Sequence, residues 1–181
     1  MYVLELAITK KYWEPTQEYL LSYIRRGRWD WVDGKGVIIR IDCSKNMRAY
    51  AVCNYLNGEL TPVGWIWLVR KSGWVSYEVQ QTFVMPAYRG NRYAEKLYMA
   101  AVNTDGLLLT SGCSHTKHSS KLWARFVAKE TFNIWAQDLK NLSRTSQVYA
   151  EQGKVQGYTM DIYHPPFQRQ DVRLIAQRKR K

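Results

Sequence analysis

Between Tyr77 and Ala101 the hydrophobic period of the chain changes once, and that change limits the folds open to it. Tyr77 to Met85 alternates loosely, as a half-buried strand does, and is stopped by Pro86, which has no N–H to give to a ladder. From Asn91 to Val102 the apolar residues Ala94, Leu97, Tyr98 and Ala101 recur at i, i+3, i+4 and i+7, the spacing of one helix face. Asp105-Gly106 closes that helix before a second apolar run, Leu107 to Thr110. A strand, helix, strand order is a crossover, so a parallel strand pair is expected here.

The flanking sequence is read in the same way. Pro15 to Arg26 places Tyr19, Leu20, Tyr23 and Ile24 at helical spacing, with Gly27 just past the end, and predicts an amphipathic first helix. A loop with Gly34 and Gly36 leads to a short apolar strand at Val37 to Ile41. Arg48 to Leu56 and Pro62 to Arg70 are strand-like, and Asn57-Gly58 between them is a strong tight-turn signal. With Tyr77 to Met85 they make an antiparallel meander. Downstream, His118 to Lys129 reads as a helix and Phe132 to Ala136 as a strand. Asn141 to Gly157 carries no pattern, and Tyr158 to Tyr163 is expected to add a last strand.

The fold class expected is therefore α/β in the α+β sense: a central mixed, mainly antiparallel sheet flanked by helices, with a strand–loop–helix turn. At 181 residues and 46% hydrophobic content, one domain over residues 1–176 is expected. QRKRK at 177–181 reads as a basic tail too hydrophilic to pack.

The longest apolar stretch, Val63 to Val69, falls far short of the roughly 20 residues that span a bilayer. The first residues lack the basic, apolar and small-residue segments of a secretory signal, so a cytoplasmic protein is expected. Three widely spaced cysteines, Cys43, Cys53 and Cys113, do not form a disulfide framework and read as buried thiols. Lys and Arg outnumber Asp and Glu 27 to 15, and a net charge of +12 attracts polyanions. It fits a nucleic-acid or acidic-protein partner, an anionic cofactor, or simple solubility.

The place where strand becomes helix, Arg89-Gly90-Asn91-Arg92-Tyr93-Ala94, is where chemistry is expected. Unpaired amides and the helix dipole at such a point favour negative charge. VMPAYRGNRYAEKLY, residues 84–98, resembles the acetyl-CoA signature R/Q-x-x-G-x-G/A of the GCN5-related N-acetyltransferase (GNAT) superfamily. Arg89 and Ala94 match its ends, and Arg92 stands where its central glycine would be. The order of elements over about two thirds of the chain is similar to that of the family. The resemblance implies that Arg89, Gly90, Asn91, Arg92, Tyr93 and Ala94 hold the pyrophosphate of acetyl-CoA or another acyl-CoA. It also implies that the main chain of Phe83, Val84 and Met85 pairs with the pantetheine arm. Arg92 either points its guanidinium at a phosphate or is a solvated first-turn arginine.

Amine acylation needs a base near the thioester, and the resemblance points to Glu78, eleven residues before Arg89 on the strand entering the motif. Many relatives carry a tyrosine general acid where S-S-K-L-W-A-R-F has Trp123, whose indole has no useful acid. Ser119, Ser120 or water are the remaining proton donors. Cys113, His115 and His118 fall at Cys-x-His-x-x-His, a weak candidate for a metal, and His115 or His118 is alternatively a base or a substrate-orienting group. Arg25, Arg26, Arg28 and Trp29 are candidates for nucleic-acid contact, arginine to phosphate and aromatic to base.

Three functions follow. The first is an acyl-CoA-dependent N-acyltransferase acting on an amine of a protein or nucleic-acid-linked acceptor. The second is a phage-type nucleobase-modifying enzyme resembling the Mom DNA-modification proteins. The third is a non-catalytic binding protein that keeps the fold and engages nucleic acid or a host protein.

Overall fold

The structure is a computed structural model in which the described residues are 16–32, 37–71, 73, 75–111, 117–138, 145–151, 154–156 and 172–179. Helix α1 covers 16–25. It is followed by β1 (Asp30–Trp31), β2 (Ile38–Ser44), β3 (Met47–Leu56), β4 (Glu59–Val69) and β5 (Tyr77–Val84). A 3₁₀ turn (Pro86–Tyr88), α2 (Tyr93–Met99), a π turn (Ala100–Thr104), β6 (Leu109–Thr110) and α3 (Lys117–Ala128) come next. The chain continues through β7 (Asn133–Asp138), β8 (Thr145–Glu151), β9 (Lys154–Gln156) and β10 (Val172–Gln177). This is the mixed, mainly antiparallel sheet flanked by helices that the hydrophobic pattern predicts. The residues gather into two units, Met1–Leu68 with Gln81–Ala100, and Val69–Gln80 with Ala101–Lys181.

In the first unit the strand order is β1-β2-β3-β4-β5. Leu20 and Ile24 of α1 are buried against Ile39, Ile41, Ala49, Ala51 and Trp65, which is why the helical spacing in the sequence is apolar on one face. Each fully buried aliphatic side chain here contributes about 1.5–3 kcal/mol. Gly27, at φ 65, ends α1: its N–H donates to the Ile24 carbonyl and the Arg28 N–H to the Tyr23 carbonyl. This pair of bonds is a Schellman cap, available to glycine without a Cβ penalty. Asn57 (φ 51) and Gly58 (φ 80) form the tight turn between β3 and β4. The Met85 N–H donates to the Val63 carbonyl, and Trp65 and Phe83 rings meet at 4.8 Å, so β4 and β5 run antiparallel and complete the expected meander.

In the second unit β5 pairs in parallel with β6, Tyr77 with Leu109 and Glu78 with Thr110, as the crossover requires. Trp123, Phe126 and Phe132 pack edge to face, with centroids at 6.0 and 4.9 Å, and bury the face of α3 that the spacing predicts. Strand β10 enters between β6 and β7, antiparallel to both. The sequence reading assigned no strand to residues 172–177. Leu174 and Ala176 are fully buried, and Arg173, only 8% exposed, is paired with Gln137, so a charged residue sits inside the strand and breaks the alternation. Gln177, read as the start of the tail, closes β10 opposite Asn133, and Lys179 pairs with Glu130 at 2.9 Å. Strands β8 and β9 occupy the stretch that carried no pattern. The strand expected at 158–163 lies outside the described residues. Among the described residues no helix is long and apolar enough to cross a membrane.

Candidate functional site

β5 runs into Met85 and the turn Pro86–Tyr88, then Arg89 to Arg92, all exposed, lead into α2. Gly90 lies at φ 90 and Arg92 at φ 56, ψ 26. A helix N-cap ordinarily sits in the β region, with a short polar side chain bonded back to the first turn. Arg92 is left-handed and makes no side-chain cap bond. That conformation costs an L-residue about 1–2 kcal/mol and costs glycine almost nothing. The backbone at residue 92 is thus one that glycine favours, at the position where the resemblance aligns a glycine. The Arg92 carbonyl accepts from the Lys96 N–H at 3.0 Å, so helical bonding starts at once. The amides of the first helical turn, 93–95, have no acceptor within the helix.

The loop is tied down by its own residues. Arg89 Nε donates to the Val84 carbonyl at 3.1 Å, and Asn91 Nδ2 to the Tyr88 carbonyl at 3.2 Å. The Tyr88 and Arg89 amides donate to the Met85 and Pro86 carbonyls. Arg89 and Asn91 therefore shape the turn, while Gly90 faces open space: a Cβ built there meets nothing within 4 Å. Tyr93 and Ala94 are half-buried on the first turn of α2.

Of the main-chain segment Phe83, Val84 and Met85, the Met85 N–H is already bonded to Val63 and the Val84 carbonyl to Arg89. Gly64 explains how close β4 comes: a Cβ there would lie 3.2 Å from the Phe83 carbonyl oxygen and from Val84 Cγ2. Among the described residues the parallel ladder of β5 with β6 ends at Glu78.

Glu78 is largely buried, its side chain 13% exposed. Lys71 Nζ is 2.6 Å from Oε2, and Gln80 Nε2 donates to Oε1 at 2.7 Å. Each carboxylate oxygen thus has one polar partner, and each keeps a further lone pair. Lys71 is half exposed. Ser119 is half-buried on α3. Trp123, which the resemblance aligns with a general acid, is a core residue, 1% exposed. His118 falls on α3, but its side chain, with Cys113 and His115, lies outside the described residues. Among the described residues no group of His, Cys, Asp or Glu gathers as a metal site.

The four candidates for nucleic-acid contact separate. Arg25 is committed to Glu59 through Nε at 2.6 Å and Nη2 at 3.2 Å. Trp29 packs on the core of the first unit and donates from Nε1 to the Ile24 carbonyl. Arg26 and Arg28 are exposed. Burial pushes the Cys43 thiol up to about 11 and the Cys53 thiol up to about 12, so both are protonated and unreactive near neutral pH. Cys53 is buried as the sequence predicts, Cys43 is only partly buried, and Cys113 lies outside the described residues.

The hydroxyls of Thr82 on β5 and Tyr98 on α2 lie 3.2 Å apart, a pair that the sequence pattern does not single out.

No protein-family model matches the sequence, and no curated protein matches it. Among solved structures, the chain is similar to one from Bacteroides thetaiotaomicron assigned to the GNAT family of acetyltransferases. The TM-score is 0.40 at 11% identity, and the match covers 77% of this chain and 66% of that one, just under two thirds of its length.

Proposed function

We propose that this chain is an acyl-CoA-dependent N-acyltransferase that moves an acetyl group from acetyl-CoA to an amine on a protein or nucleic-acid-linked acceptor. The observation that carries this reading is the left-handed Arg92 at the mouth of α2, at the signature position of a glycine. An open Gly90 beside it leaves room for a phosphate to approach the backbone.

In this reading acetyl-CoA supplies the activated acyl group. The amides of residues 93 and 94 and the exposed Arg92 side chain bind its pyrophosphate, favoured by the helix dipole. Arg89 and Asn91 hold the loop in shape rather than reach the ligand. Glu78 takes the proton of the attacking amine directly or through a water. With Trp123 in the core, the proton for the departing thiolate comes from Ser119 or water. The charge of +12 favours an acidic or nucleic-acid-linked acceptor.

The test is release of CoA thiol from acetyl-CoA in the presence of a panel of amines. Glu78→Gln is expected to lower kcat by about 10²–10⁴-fold while leaving acetyl-CoA affinity unchanged. Full activity in that variant would remove Glu78 from the reaction.

A further inference from the structure

Among the described aromatic residues of the first unit Tyr19, Trp31 and Tyr55 are exposed, and of these Tyr19 and Trp31 are held by ring contacts to neighbouring aromatics. Tyr19 is 42% exposed and Trp31 41%. The Tyr19 ring lies 5.5 Å from Trp67, edge on, and 5.2 Å from Tyr23. Its hydroxyl is 3.0 Å from that of Tyr23, whose own hydroxyl donates to the Cys43 carbonyl at 3.1 Å. Tyr23 has one proton and spends it on Cys43, so Tyr19 is the donor to Tyr23. Trp31 is fixed by pairing with Ile39 on β2 and by an edge contact with Trp29 at 5.0 Å. Trp29 in turn is anchored to the end of α1.

Arg26 and Arg28 stand exposed at the Schellman turn between these aromatics in sequence. Arg26 is close enough to Tyr19 for its charge to act on the phenol. Rigid, exposed rings lose little side-chain entropy when something stacks on them. Arginines beside such rings on a chain of charge +12 complement a phosphate backbone. A duplex hides its base faces in the stack, whereas a single strand offers both faces and phosphates. An acidic protein would satisfy the arginines and leave the rings without a role.

We infer that α1 and the loop after it form a binding surface for single-stranded nucleic acid, with Tyr19 and Trp31 stacking on bases and Arg26 and Arg28 holding phosphates. This surface does not depend on the acyltransferase reading.

The experiment is fluorescence anisotropy of the full chain with a labelled oligothymidylate and with an abasic strand of the same length. Oligothymidylate is expected to bind about tenfold more tightly, and Tyr19→Ala or Trp31→Ala to remove about tenfold of that affinity without altering binding of the abasic strand. Tyr19→Phe keeps the ring and the affinity. Arg26→Ala and Arg28→Ala weaken binding to both strands and each lower the salt slope by about 0.7. An oligouridylate run in parallel assigns the surface to RNA or DNA by whichever binds more tightly. Should an alanine variant fail to fold, quenching of tryptophan fluorescence by oligothymidylate but not by the abasic strand reads the same stacking in the unaltered chain. Equal affinity for the two strands, or ring variants that bind oligothymidylate unchanged, would overturn the inference.

Discussion

Two turns of the first unit each place a glycine and a non-glycine residue at positive φ. At Asn57-Gly58 the angles are 51° and 80°, and at Gly90 and Arg92 they are 90° and 56°. The first pair is what a two-residue hairpin demands, and asparagine tolerates it. The second sets an arginine in the left-handed region at a helix start, where neither hairpin twist nor helix capping calls for it. Glu130, the third non-glycine of this kind, ends α3 with bonds from its own N–H to Val127 and from Thr131 to Phe126, so its geometry is also demanded locally. Among the described non-glycine residues at positive φ, only Arg92 lacks such a local reason. Strain of that kind collects at ligand sites.

The largest effect that separates the two turns is on ligand binding. Gly90→Asp is expected to weaken acetyl-CoA binding by about a hundredfold, because a carboxylate would face the pyrophosphate at short range. The melting temperature should fall by about 2–8 °C, the cost of placing a Cβ at φ 90 where no neighbour crowds it. An unchanged Kd in calorimetric titration would take the loop out of the cofactor site. Gly64→Val should destabilise the protein by about 1–3 kcal/mol in urea unfolding, since its side chain must displace the Phe83 carbonyl and Val84. The turns themselves should then respond in opposite directions. Arg92→Gly is expected to raise stability by about 1 kcal/mol by relieving the backbone, and Asn57→Val to lower it by about 1–2 kcal/mol by straining it. If Arg92→Gly destabilises, the side chain makes contacts that outweigh the strain.

The smallest effect lies at Tyr19. The hydrogen bond to Tyr23, helped by burial, pushes its phenol from the ordinary 10.0 up to about 12. A raised folded value means the stabilisation is complete below pH 10 and disappears as pH rises through about 12. Ultraviolet titration should show Tyr19 ionising late, and Tyr23→Phe should bring it earlier.

Much of this fold is written in short-range chemistry. Asn57-Gly58, Gly27 and Pro86 mark turns that only those residues make cheaply, and Ala94, Leu97 and Tyr98 mark one face of α2. β10 was hidden because Arg173 is buried on Gln137, a pairing 36 residues distant that no local pattern announces. The site was legible as a loop, through its spacing, but not as a geometry: nothing in the letters says that Arg92 adopts a glycine's conformation. The partners of Glu78 and Arg25 were equally hidden, because Lys71 and Glu59 reach them from neighbouring strands or turns.

The most direct test of the central reading is thermal melting of the purified chain with acetyl-CoA, alongside calorimetric titration. Saturable binding is expected, with the fold stabilised by about 2.7 kcal/mol when the ligand is at 100 times its Kd. No heat of binding and no shift in Tm at millimolar acetyl-CoA would contradict it and leave the strained Arg92 without a ligand.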